Sequence, residues 1–243
     1  SRPVGIMAVV AVVIAMAVYL ISVTQGGSTL MANVTGLPYN VCAIMAIALF
    51  TIMVISAGSK GVLITDTIMF GLFTIIGVTS VIIVSVKGGG WYNIIENISA
   101  APETHDLLSW HGVLGYMYDT GWENMVWFWA YGICWAGVGF IGPWQCSRNL
   151  MAKSEHTVIR SSVFVVIGCF AINYLVELGA VFMHAFDIGD TESTQVWLWA
   201  AHNVLPQIVG VILITGIIAA AISSATTFMS LVGASISNDI FRI

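Results

Sequence analysis

The sequence predicts an all-α fold, a polytopic membrane bundle of about six spans, and three observations predict it. Seven basic and twelve acidic residues make up only 8% of 243, where a soluble domain carries about 25%. Hydrophobic residues reach 58% and the mean hydropathy is +0.96. The apolar residues also fall in runs close to the roughly 20 residues that cross a bilayer's hydrocarbon at 1.5 Å rise each. So few charges could not solvate the surface of a soluble body this size, which excludes a soluble enzyme, a disordered chain and a nucleic-acid binder.

The runs are 4–23, 41–56, 62–86, 125–144, 162–185 and 208–235. The second is short, and Ala57-Gly58-Ser59-Lys60-Gly61 after it reads as a tight turn. Segment 87–124 is the longest polar stretch. It opens with Gly88-Gly89-Gly90 and carries a short amphipathic helix over 91–100. The connection 187–206 holds a short interfacial helix over 196–203. Cys42, Cys134, Cys146 and Cys169 lie in or beside apolar runs with no metal-site spacing, and read as free thiols packed as small apolar groups.

Alternation of six spans sorts the charges. Arg2, Lys60, Arg148, Lys153, Arg160 and Arg242 fall on one side and Lys87 alone on the other, so the positive-inside rule puts both ends of this chain in the cytoplasm. Segment 87–124 then becomes an extracellular or periplasmic loop. Glu96, Glu103, Asp106, Asp119, Glu123, Asp187, Asp190 and Glu192 collect on that outer side. No secretory signal peptide is legible. The chain starts without a methionine and stops directly after a span, which reads as a fragment organised as one transmembrane domain, 1–243.

Polar groups inside a span are costly and mark functional candidates. Asp66 lies one to two turns into the third run, where it either caps interfacial amides or handles a cation or proton. Ser223, Thr226, Thr227 and Ser230 are spaced i, i+3, i+4 and i+7, with Ser224 at the flank, so their hydroxyls share a helix face. Such a face supplies hard, neutral oxygens for an alkali cation, or else permits close helix packing while each hydroxyl bonds back to its own helix. Gly132, Gly137, Gly139, Gly142 and Pro143 make the fourth run a poor uniform helix, and a break would free backbone groups to face a cavity. The aromatic cluster of Trp127, Trp129, Tyr131 and Trp135 fits either that cavity or an interfacial belt. Glu177, four residues after Asn173, reads as a buried acid, structural or protonatable.

Three segments resemble the sodium:solute symporter family in order and spacing: Gly58-Ser59-Lys60-Gly61-Val62-Leu63-Ile64-Thr65-Asp66-Thr67, Gly142-Pro143-Trp144-Gln145-Cys146-Ser147-Arg148, and Ala219-Ala220-Ala221-Ile222-Ser223-Ser224-Ala225-Thr226-Thr227 closing at Asn238-Asp239-Ile240-Phe241. The resemblance covers essentially the whole chain. It implies the third to eighth helices of a LeuT-type inverted-repeat core, in a plasma (cell inner) membrane transporter rather than an enzyme. It further implies sodium-coupled symport of a small organic solute, with the lipid bilayer and the remaining transporter helices as partners. The implied sodium ligands are the Ala220 carbonyl with Ser223 and Ser224. A possible second sodium site would use Asp66, Ser223, Thr226 and Thr227. Trp135, Gly139 and Pro143 match substrate-contact positions. Gly139 replaces an aromatic of the proline transporters, and Cys169 stands where sugar transporters have a lysine, so neither proline nor a sugar is implied. Glu177 matches no site of the family. A membrane sensor module of the same family, feeding a signalling domain, and a purely structural bundle are the rival expectations.

Overall fold

The computed structural model describes residues 2–102, 104–115, 117–189 and 191–241. Glu103, Asp190 and Arg242, which entered the charge sorting, lie outside the described residues. The architecture is all-helical. Among the described residues, six helices are long and apolar enough to cross a membrane. These spans, in chain order, are α1 (Pro3–Thr35), α2 (Tyr39–Ser56), α3 (Gly61–Lys87), the stretch Gly121–Leu150, the stretch Glu155–Ala185 and the stretch Gln207–Asp239. Their outward faces carry exposed apolar side chains such as Ile55, Ile75, Phe164 and Ile208, each more than 70% exposed. That is the surface expected when the surrounding solvent is lipid rather than water.

The first helix runs some three turns beyond the end of its apolar run at Val23. Its polar tail stays helical because Thr24, Ser28 and Thr35 donate to carbonyls four residues earlier, at 2.6–2.7 Å, satisfying each hydroxyl inside the helix. The turn expected between α2 and α3 is present. Gly58 takes φ +58° and ψ −178°, a conformation that a side chain disfavours, and this kinks the chain between the two helices.

The remaining helices are α4 (Trp91–Ala100), α5 (Gly121–Ile141), α6 (Pro143–Leu150), α7 (Glu155–Phe182), α8 (Val196–Asn203) and α9 (Gln207–Ala234), the last ending in a π-helical turn, Ser235–Ile240. Both short helices, α4 and α8, have the expected bounds. Two long ones begin earlier than their apolar runs because side chains cap them. At α5, Thr120 accepts from the Glu123 amide and donates to its carboxylate at 2.6 Å, a capping box. At α7, Ser154 accepts from the Thr157 amide at 3.2 Å.

The expected break of the fourth run lies at its end and not near its middle. The helix passes unbroken through Gly132, Gly137 and Gly139 and stops at Gly142 (φ −59°, ψ 131°). Glycine alone only weakens a helix. Proline removes an amide and drives the preceding residue out of the helical region, so Pro143 sets the position of the break.

The chain divides into two compact units, 1–73 with 215–243, and 74–214. In the first, Ala46, Phe50 and Ala225 form a buried nucleus packed by Leu20, Val23, Met31, Ile222 and Met229. Small residues allow the approach of α1 to α9: a methyl on Gly27 would stand 3.5 Å from Ala221 Cβ, and Tyr19 meets Phe228 edge-on at 4.7 Å. In the second, Ile94 and Ile98 of α4 are fully buried, and Trp91 packs edge-on against Phe182 at 5.1 Å. Gly179 of α7 gives Trp197 of α8 and Val81 of α3 room to close over it. A Cβ there would lie 2.8 Å from both.

Candidate functional site

Asp66 sits in the second turn of α3 and is only 9% exposed. It reaches α9: Ser223 donates to Asp66 Oδ1 at 2.5 Å and Thr227 donates to Oδ2 at 3.3 Å. Residues 223 and 227 are one helical turn apart, so one face of α9 presents one hydroxyl to each carboxylate oxygen. Hydrogen bonds from hydroxyls to a carboxylate are the short, strong kind. These two hydroxyl contacts tie Asp66 of α3 to α9.

Thr226 is 2% exposed and behaves differently. Its hydroxyl donates to the Ile222 carbonyl at 2.9 Å and the Ser223 carbonyl at 3.1 Å. Back-bonding consumes its proton and leaves the oxygen lone pairs as what it offers. The hydroxyl face thus back-bonds at Thr226 and reaches the Asp66 carboxylate at Ser223 and Thr227.

The donor set can be tested against a sodium ion. A carboxylate and hydroxyl oxygens are hard ligands, and Na+ is close in size to Ca2+, whose oxygen ligands lie at about 2.3–2.6 Å. Adjacent ligands at right angles are then roughly 3.3–3.7 Å apart. The Thr227–Asp66 separation of 3.3 Å already has that value, and the Ser223–Asp66 separation of 2.5 Å must open by just under an ångström. Small side-chain torsions supply that, so the residues fit the ion. Among the described residues no three His, Cys, Asp or Glu side chains cluster in the manner of a transition-metal site.

Ser223 and Ser224 are half-buried on α9, and Ala220 lies one turn before them. Ser223 belongs to both expected ligand sets. Since a hydroxyl has one proton and two lone pairs, it can donate to Asp66 and still bind a cation through oxygen.

The expected substrate contacts lie along α5 and the start of α6. Trp135 is 46% exposed with its ring edge toward Tyr131 at 6.1 Å, and Tyr131 in turn stacks on Trp127 at 5.2 Å. Gly139 is one turn further on the same face, with open space where a side chain would stand, and Pro143 begins α6. Asn173 Nδ2 donates to the Cys169 carbonyl at 2.8 Å and does not pair with Glu177. Glu177 is exposed on α7, which corrects the expectation that it is buried. All four cysteines are free, Cys42 buried and Cys134 and Cys146 exposed.

A model of the sodium:solute symporter family matches residues 1–243. No curated protein and no solved structure matches the chain.

Proposed function

Because the chain belongs to the sodium:solute symporter family, we propose that it couples inward sodium movement to the uptake of a small organic solute by alternating access. Membership in that family, with six apolar helices, makes it an integral membrane protein and makes sodium-coupled solute transport its expected activity. The finer reading rests on one observation, the Asp66 carboxylate held between the hydroxyls of Ser223 and Thr227.

In this reading Asp66, Ser223, Thr226 and Thr227 hold one sodium ion, and the Ala220 carbonyl with Ser223 and Ser224 contributes to another. One elementary charge crossing 100 mV releases about 2.3 kcal/mol, to which the concentration gradient adds. The ion drives transport only through its differential affinity for the two access states. Solute meets Trp135, Gly139 and Pro143, where the break at Gly142 exposes backbone groups. The chain acts as one transmembrane domain, 1–243, of a LeuT-type core in the plasma membrane, with both its ends cytoplasmic and 87–124 as the outer loop.

The test is sodium-dependent solute uptake by the full-length protein in proteoliposomes. Ser223→Ala and Ser224→Ala each raise the sodium concentration for half-maximal uptake about tenfold or more. Unchanged sodium dependence in both variants removes the ligand assignment, and uptake that ignores the sodium gradient removes the coupled mechanism.

A further inference from the structure

A cavity of about 910 Å³ lies within the unit 74–214, between the segment that follows α4, the start of α5 and the end of α7. Its volume is in the range of small-molecule sites. Trp110, Trp127, Phe128 and Trp129 supply aromatic surface, and among the described residues no Asp, Glu, Lys or Arg lines it. At the wall, His111 Nδ1 stands 2.7 Å from the Gly112 carbonyl, which can only accept, so Nδ1 donates to it. Asn124 Nδ2 donates to the His111 and Val113 carbonyls at 3.2 and 3.3 Å, leaving Oδ1 as the group it can offer.

The charge around this cavity is one-sided. The stretches 106–129 and 184–193, from which all its walls come, contain Asp106, Asp119, Glu123, Asp187, Asp190 and Glu192 and no lysine or arginine. Asp106, Glu123 and Glu192 are immediate chain neighbours of the lining residues Leu107, Asn124 and Ser193. Aromatic faces present negative potential, and the flanking carboxylates raise the local concentration of cations. An anion finds no donor of charge here, and a metal ion finds no cluster of ligands among the described residues.

We infer that this cavity binds a monovalent organic cation with an apolar body, such as a substituted ammonium, through the aromatic wall formed by Trp110, Trp127 and Trp129. Its lining includes none of Trp135, Gly139, Pro143 and Asp66, although Trp127 stacks on Tyr131, which meets Trp135, and it stands or falls independently of the sodium-coupled reading.

The experiment is calorimetric titration of the full-length protein in lipid nanodiscs with benzyltrimethylammonium, and with uncharged N,N-dimethylbenzamide as the comparison. The cation binds with a sub-millimolar Kd and the neutral compound at least tenfold more weakly. Trp110→Ala weakens cation binding fivefold or more, while Trp110→Phe, which keeps a π face, retains most of it. Size-exclusion profile and helix content of each variant establish that it is folded. If Trp110→Ala does not fold, the paired Asp119→Asn and Glu123→Gln variant supplies the test, with cation binding weakened at low salt and neutral binding unchanged. Equal binding of the two compounds, as expected of a cavity that merely takes up apolar matter or lipid, overturns the inference. So does cation binding that survives the loss of Trp110 and of the flanking carboxylates, or that is abolished by Trp135→Ala instead.

Discussion

Ser223 and Asp66 are coupled in sodium binding, and a double-mutant cycle measures by how much. Ser223→Ala deletes the hydroxyl that donates to Asp66 Oδ1 at 2.5 Å, and Asp66→Ala deletes the acceptor. Asp66 is 9% exposed and Ser223 half-buried, so water replaces the acceptor poorly. A hydrogen bond to a charged group contributes about 1.5–3 kcal/mol, which corresponds to roughly 10- to 150-fold in an equilibrium constant. The assay is thermal unfolding of the full-length protein across a sodium titration, because a ligand of the native state raises stability as RT ln(1 + [Na+]/Kd). Each single variant weakens sodium binding about tenfold or more. Once one partner is gone the other has nothing left to contribute through the pair, so the double variant is at least about tenfold better than the product of the two. Strict additivity, with a coupling energy below about 0.5 kcal/mol, refutes the argument that these residues act as one unit.

Other perturbations test the fold that positions the site. Gly58 has open space around it and combines φ +58° with ψ −178°, a region open essentially to glycine alone, so Gly58→Ala and Gly58→Asn each cost conformational strain of about 1–3 kcal/mol, read as a lowered denaturant midpoint. Gly179→Ala places a methyl 2.8 Å from Trp197 and Val81 and destabilises by about 1–3 kcal/mol, read as a lowered Tm, with partial recovery in the Gly179→Ala, Val81→Ala pair. Ile94→Ala empties a fully buried position under α4, costs about 2–5 kcal/mol and speeds proteolysis within 88–104 before global unfolding. Gly142→Ala sets a Cβ 2.6 Å from the Val138 carbonyl and 2.8 Å from the Trp144 ring, and lowers Tm more than Gly139→Ala, where the space is open.

Much of the fold was legible because the bilayer imposes simple rules on sequence. Span length, the turn at Gly58 and the bounds of α4 and α8 follow from apolar run length, glycine placement and amphipathic spacing. Helix ends were less legible. The tail of α1 after Val23 and the first turns of α5 and α7 are polar, and their helicity comes from hydroxyl back-bonds and caps that a hydropathy run does not register. Glu177 was misread for a related reason. Distance from a span's end says how deep a residue lies along its helix, but not toward which side it faces.

The sequence alone determined the chemical types of the candidate site: an acid one to two turns into a span, a face of hydroxyls 157 and more residues further along, and almost no other charge to compete for a cation. Periodicity fixes which residues share a face of one helix, because that is a local property of 3.6 residues per turn. Which face meets which acid is not local. Only the tertiary structure decided that Ser223 and Thr227 divide the two oxygens of Asp66 while Thr226 turns back on its own helix. Likewise it alone gathered Trp110, His111 and Asn124 from a polar connecting segment around one cavity. Both depend on how helices and loops pack at long sequence separation, where small residues such as Gly27 and Ala221 set the approach.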